Sequence, residues 1–240
     1  MKITSLQNKQ IIEWNKLKQK KYRDETNTFL IEGDHLINEA KKNGNVLYTI
    51  GLNESYDYEV TEDILNKLSS QTSGTNEIAV CKKIEEKEIN GNVVILDNIQ
   101  DPGNLGTIIR SAVAFNIDTI ILSDNSVDLY NDKVIRASEG MLFNINVIRC
   151  NLKEKIEDLK TNGYTIYATT PNGEGSFTND NKIALVIGNE GNGISDDILD
   201  LCDKNITIKM NEKCESLNAG VCASILMHMM ENLKWKNIYI

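Results

Sequence analysis

The chain of 240 residues lacks any apolar run of membrane-spanning length. Its longest runs, VVIL from Val93 and ALVI from Ala184, fall far short of the roughly 20 residues that a spanning helix needs. The opening MKITSLQNKQ has no apolar core of signal-peptide type, so a cytoplasmic protein free of the membrane is expected. Five cysteines, an odd number with no C-x-x-C pair, support neither a disulfide framework nor zinc-ligand spacing. The two histidines, His35 and His228, lie far apart without an H-x-x-x-H partner, and no metal site is expected. Positive charge is also short: a net charge of −9 argues against a general polyanion binder, whose affinity rests on neutralising phosphates.

What basic charge there is gathers at the start. Residues 1 to 23 hold seven basic side chains, including Lys16, Lys18, Lys20, Lys21 and Arg23, against Glu13 alone. Such a block is either a solvated helix face or an RNA-contacting patch. The apolar residues Leu6, Ile11, Ile12, Trp14 and Leu17 predict a single amphipathic helix between Ser5 and Lys21. FLIEG, VLYTIGL and EIAVCKKI read as strands, with helices over HLINEAKKNG and Asp63 to Leu68. Residues 1–88 therefore form a small α/β domain, and the charged EEKEINGN is its linker to a second domain, 89–240.

That second domain carries six apolar, β-branched segments, starting at Val93, Thr119, Ile145, Tyr164, Ile183 and Ile206. Helical stretches separate most of them, which predicts a mainly parallel, doubly wound sheet. Three segments stand out because each leads from a strand through a Gly- or Asn-rich turn into a helix. They are DNIQDPGNLGTIIRSA from Asp97, LVIGNEGNGIS from Leu185 and IKMNEKCESLNAGVCASI from Ile208. Loops of this kind expose backbone donors at the carboxyl edge of a sheet, where α/β folds bind ligands. In the first, Asn104 is positioned to cap the helix, and Arg110 sits in the otherwise apolar IIRSAVAF. A charge there needs an anionic ligand or a salt bridge to a carboxylate such as Asp97 or Glu190. The second, with glycines at 188, 191 and 193, is neither a dinucleotide fingerprint nor a P-loop. In the third, Ser216 is a candidate N-cap and Asn218 presents an amide in the first turn of the last long helix.

In order and spacing the three segments resemble the motifs of the SpoU (TrmH-type) RNA ribose methyltransferases of the SPOUT superfamily. FLIEGDHLINEA resembles part of the L30e-like substrate-binding domain that precedes the catalytic domain in many of them. The resemblance implies a C-terminal trefoil knot, a homodimer, S-adenosylmethionine as cofactor and transfer of its methyl group to a ribose 2′-oxygen. It implies RNA as the partner, ribosomal (23S) RNA ahead of tRNA. It assigns Arg110 to the substrate ribose and phosphate and to helping deprotonate the 2′-hydroxyl, with Asn104 and Glu190 positioning it and Ser216 and Asn218 completing the catalytic site. The donor pocket falls to Gly188, Asn189, Glu190, Gly191, Ile208, Met210, Ser216 and Leu217, joined by Thr169 and Thr170, which stand at the carboxyl end of the strand from Tyr164, where open α/β sheets bind ligands. Arg136 and Ser138, in RASEG, resemble a segment on the substrate side and join the N-terminal block as RNA-contacting residues. Two departures are visible: Lys209 stands where proline is common, and Ala219-Gly220 replaces a Val-Ser type pair. The readings that compete are a tRNA methyltransferase of the same superfamily and a non-catalytic RNA-binding or ribosome-assembly protein.

Overall fold

Runs of β-branched and aliphatic residues form strands wherever turn residues bound them. In the computed structural model, which describes residues 1–71, 74–178 and 180–236, these strands build two sheets. Chain contacts divide the protein into two units, Met1–Glu85 with Asp128–Asn144, and Glu86–Val127 with Ile145–Ile240. The boundary expected after residue 88 thus falls after Glu85, and an internal segment of the C-terminal half joins the first unit.

In the first unit, β1 (Lys2–Ile3) is followed by α1 (Lys9–Lys16) and α2 (Lys20–Thr26), two helices in place of the single one expected from Ser5 to Lys21. Asn8 caps α1 by accepting the Gln10 N–H at 2.9 Å. The chain continues through β2 (Thr28–Glu32), α3 (Asp34–Lys42), β3 (Val46–Gly51), β4 (Tyr58–Val60), α4 (Glu62–Leu68) and β5 (Glu77–Lys82). The sheet order is β1-β4-β3-β5-β2, with β5 antiparallel to both of its neighbours. Ile11, Trp14 and Leu17 from the N-terminal stretch and Ile64, Leu65 and Leu68 of α4 pack with Ile50, Val60 and Ile78 of the sheet into one core. The strands β1 and β4 were not foreseen; each is too short to show an alternation.

In the second unit, β6 (Val93–Leu96), α5 (Pro102–Ala114) and β7 (Thr119–Leu122) form a parallel crossover. After β7 the chain leaves for the first unit through Asp128–Asn144, which carries α6 (Asp132–Ala137) and a 3₁₀ turn, Met141–Asn144. It returns as β8 (Asn146–Arg149), α7 (Leu152–Thr161), β9 (Thr165–Glu174), β10 (Ile183–Ile187), α8 (Asp196–Leu199), β11 (Lys204–Ile206) and α9 (Ala219–Lys236). All neighbouring strands are parallel, in the order β11-β9-β10-β6-β7-β8. One face packs Val93, Ile95, Ile121, Ala184 and Val186 with Leu152, Ile156 and Leu159 of α7 and Ile198 of α8. The alternate residues Val94, Leu96, Ile120, Leu122 and Leu185, which point to the other face, are as fully buried, as are Ile108 and Ile109 of α5 and Leu226 and Met227 of α9. A parallel sheet covered on both faces is the predicted architecture.

The excursion is bound into the first unit by specific contacts. The Phe29 ring of β2 lies 4.6 Å from that of Tyr130 and 6.2 Å from that of Phe143. Arg23, nearly buried, donates to Asp128 at 2.5 Å and to the Leu17 carbonyl at 2.8 Å. Glu139 and Gly140 turn the chain in the left-handed region, φ +49° and +78°. A Cβ on Gly140 would lie 2.8 Å from the Glu39 side chain, so only glycine fits this turn.

Candidate active site

Sequence order alone does not bring motif residues together; the parallel sheet does, by placing the turns after β6 and β10 side by side. After β6, the buried Asp97 carboxylate accepts both the N–H and the hydroxyl of Ser195, at 2.8 and 2.7 Å. It is therefore committed to the turn ahead of α8 and holds no arginine. Asp101, not Asn104, caps α5: its Oδ1 accepts the Asn104 N–H at 2.8 Å, and Pro102 occupies the first turn, where its missing N–H costs nothing. Asn104 is thereby released to act through its side chain.

Glu190 arrives from the β10 turn and accepts three hydrogen bonds, from the backbone of Gln100 and Asp101 at 3.2 and 3.1 Å and from Asn104 Nδ2 at 2.9 Å. A carboxylate only accepts, so Asn104 presents its amide nitrogen to it and turns Oδ1 the other way. There Oδ1 accepts Asn218 Nδ2 at 2.8 Å, and the Asn218 oxygen accepts the Val221 N–H at 3.2 Å. One relay, Glu190–Asn104–Asn218, ties all three motifs together. It also corrects the third motif: α9 starts at Ala219 with Asn218 as its cap, while Ser216 lies exposed in the loop before it. Burial pushes the Glu190 carboxyl up, but the bonds from Asn104, Asp101 and Gln100 outweigh it and hold it below the ordinary carboxylate range.

The GNEGNG turn is closed on itself. Asn189 and Gly193 exchange backbone bonds of 2.9 Å in each direction, and Asn189 Oδ1 accepts the N–H groups of Gly191 and Asn192 at 3.0 Å. Those amides, expected from the sequence to be open toward a ligand, are spent within the turn. A Cβ on Gly188 would lie 2.2 Å from the Gly193 and Ile194 backbone, which is why this position is glycine.

The β9 segment runs further than the sequence suggests, through Pro171 to Glu174, where it pairs with Ile206 after an irregularity in β11. Thr207 donates its N–H to the Glu174 carbonyl at 2.8 Å and its hydroxyl to that of Pro171 at 3.2 Å. The third motif is thus held at its start by β9 and at its end by α5. Ile208 and Leu217 are half-buried and Met210 is exposed. Thr169 and Thr170 lie partly buried at this edge, and the Thr170 hydroxyl is a buried polar atom with no partner among the described residues. An orphaned buried hydroxyl costs free energy unless a ligand or water satisfies it.

Arg110 lies on α5 beyond the relay, exposed, with no hydrogen bond or ion pair among the described residues. Neither carboxylate considered for it, Asp97 or Glu190, holds it, and its guanidinium stands open to an outside anion.

Other RNA-contact candidates are otherwise engaged. Lys16 pairs with Glu13, Lys20 with Asp24 and Lys21 with Glu25, while Lys18 donates to the carbonyls of Lys67 and Ser69. Arg23 is buried on Asp128. In the first unit Arg136 pairs with Asp132 at 3.1 Å, and Ser138 is fully buried on the Ile135 carbonyl. Buried Arg23 and Ser138 are structural, a correction to the RNA contact expected of them, while Lys16, Lys20 and Lys21 form exposed ion pairs within their own helices. The helix pair α5 and α9 was missed as a unit. Ser111 and Ser224 meet at 2.6 Å and the rings of Phe115 and His228 at 5.2 Å. Asn116 reaches Glu231 at 3.1 Å. The small residues of VCAS after Gly220 were the available signal.

Comparisons with known proteins bear on the family of the chain. Residues 91–228 match the family model described as the SpoU rRNA Methylase family, and residues 8–86 match an MRM3-like substrate binding domain. The chain is 34% identical to the 23S rRNA (guanosine(2553)-2'-O)-methyltransferase RlmP of Bacillus subtilis, over 94% of this chain and 97% of the relative. A crystal structure of an RNA 2'-O ribose methyltransferase, 28% identical, superposes with a TM-score of 0.81 over 98% of this chain and all of its own. The fold is also that of an AdoMet-bound rRNA methyltransferase from Sinorhizobium meliloti, 24% identical, with a TM-score of 0.86 over 97% of each chain. With its three motifs joined by one relay and 94% of its length matched by one relative, this chain belongs to the SpoU family of RNA methyltransferases.

Proposed function

We propose that the protein methylates a ribose 2′-hydroxyl of 23S ribosomal RNA with S-adenosylmethionine as donor. The observation that carries this reading is the Glu190–Asn104–Asn218 relay, with Arg110 uncommitted on the helix that the relay anchors. Similarity over 94% of the chain to a 23S rRNA 2′-O-methyltransferase supports the choice of RNA. The unpartnered Thr170 hydroxyl fits a donor pocket at this edge. Thr169, Thr170, Gly188, Asn189, Gly191, Ile208, Met210, Ser216 and Leu217 line that pocket. When bound, the donor supplies a methyl group already activated by its positive sulfur.

The chain's own task is alignment and charge control. A guanidinium carries hydrogen-bond donors and no acceptor, so Arg110 acts by donating. Its N–H groups receive the phosphate beside the target ribose and stabilise negative charge developing on the 2′-oxygen, while the hydroxyl proton leaves to water at this exposed site. Asn218 and Ser216 border the ribose, and Glu190 and Asn104 fix Asn218. The chain acts as a homodimer, a reading supported by the exposed Val221 and Ile225, one turn apart on α9, and by Met210. The knotted C-terminus belongs to the same proposal, supported by the way the loop from Thr207 passes from the β9 extension to α5.

The test is transfer of labelled methyl from S-adenosylmethionine to 23S rRNA lacking the modification, with the product mapped by nuclease digestion and mass spectrometry. Wild type should yield one new 2′-O-methyl nucleotide, and light scattering should give twice the 27.0 kDa chain mass. Arg110→Ala should lose transfer by at least 100-fold while keeping donor affinity, as expected on removing a transition-state donor. Near-normal turnover in that variant would remove Arg110 from the mechanism, and methylation of tRNA alone would transfer the proposal to that substrate.

A further inference from the structure

An acidic protein that binds RNA must do so with a small set of local cations, because its overall field repels the backbone. In the second unit most basic side chains are consumed internally. Lys153, Lys155, Lys160 and Lys204 pair with Asp197, Asp158, Asp203 and Asp180. Lys182 donates to the Asn162 carbonyl, and Arg149 is bound by the carbonyls from Ser123 to Val127. Among the described side chains of this unit, Lys87, Arg110, Lys209 and Lys213 are left without a hydrogen bond, ion pair or aromatic face. Lys87 lies in the linker; the other three lie in the first and third motifs.

Lys209 and Lys213 share the loop between β11 and α9. That loop is fixed at Thr207 by the carbonyls of Pro171 and Glu174 and at Asn218 by Asn104. Between these anchors residues 209–216 are exposed, and their own bonds are local, as between Lys213 N–H and Asn211 Oδ1 at 3.0 Å. The Lys209 stem lies against Gly175, where a Cβ would meet its Cε at 3.2 Å. Two unpaired ammonium groups on a short, end-anchored loop are placed to receive backbone phosphates at no cost of breaking an internal pair.

We propose that Lys209 and Lys213 bind RNA phosphates flanking the target ribose, so that the third motif is an RNA-gripping loop as well as a donor-side one. This rests on the reading of the site as an RNA methyltransferase. It adds an RNA contact on the loop that follows β11.

The test measures affinity for a 23S rRNA transcript by fluorescence anisotropy across a salt series, for wild type, Lys209→Gln, Lys213→Gln and the double variant, with Lys→Arg controls. Donor affinity is measured in parallel by calorimetry. Each Gln substitution should lower the slope of log K against log salt by roughly 0.7–0.9, the value for one phosphate contact, and Arg should restore it. Donor affinity should stay at the wild-type value. A double variant with the wild-type slope overturns the inference even where methyl transfer is normal. Slope loss without methyl transfer in any RNA keeps the RNA grip and rejects the proposed activity instead. A wild type that binds no RNA rejects both.

Discussion

Glu190 is exposed, yet three donors converge on it, and two of them are the backbone amides of Gln100 and Asp101 that precede α5. Glu190→Ala strips all three at once and unties Asn104 from its orientation. Because solvent replaces part of what is lost, the cost should be about 1–2 kcal/mol, seen as a fall in Tm of roughly 3–6 °C. The folded carboxyl sits below its ordinary value of 4.5, so its stabilisation is complete above that pH and disappears as pH falls through the lowered folded value. Glu190→Gln should flatten that acid limb in melts between pH 3 and 6; an unchanged limb would assign it to other carboxylates. The residue type was legible in the motif, but its partner was not. Whether Glu190 meets Arg110 or Asn104 depends on where α5 presents each side chain, and residues 104 and 110 point to different sides of a helix with 3.6 residues per turn.

The elements were more legible than their ends. Most strand positions followed from apolar runs, but β11 ends at Ile206, where the run ITIKM was expected to begin it, so Ile208 and Met210 lie in the following loop. The caps moved too, Asp101 taking the place expected of Asn104 and Asn218 that of Ser216. Several adjacent Asn, Asp and Ser residues each suit a cap, and tertiary partners select among them. The pairing of α5 and α9 rests on small residues. Gly220 is buried, and a Cβ there would sit 3.2 Å from Thr107, so the departure from a Val-Ser pair lets α9 lie close to α5. Gly220→Val should overpack this contact at a cost of about 1–3 kcal/mol, measurable by urea denaturation. Thr107→Ala in the same chain should recover part of that loss. Strict additivity of the two changes would mean that the strain lies elsewhere.

At the scale of the molecule, the first unit draws on two stretches of chain. A fragment of residues 1–88 lacks Asp128, Tyr130 and Phe143, leaving Phe29 without its ring partners and Arg23 without its carboxylate. Uncovering an aromatic core side chain costs about 2–3 kcal/mol, and stranding a buried charge costs about 3–5 kcal/mol; together they rival the whole stability of a small domain. The 1–88 fragment should therefore give a collapsed amide spectrum by NMR, while the full chain gives a dispersed one. A well-dispersed fragment would show that the excursion only decorates the unit.

By itself the sequence determined the alternation of strands and helices, the parallel sheet of the second unit and the three motif loops, because periodicity and turn chemistry are local properties written in neighbouring residues. It also determined the family, since the motifs keep their order and spacing. Only the tertiary structure decided that Asp128–Asn144 belongs with the N-terminal unit, that Lys16, Lys20 and Lys21 pair with carboxylates and that Lys209, Lys213 and Arg110 do not. Those outcomes depend on which side chains meet across long stretches of chain. Composition counts a charge, but only a fold decides whether a partner cancels it.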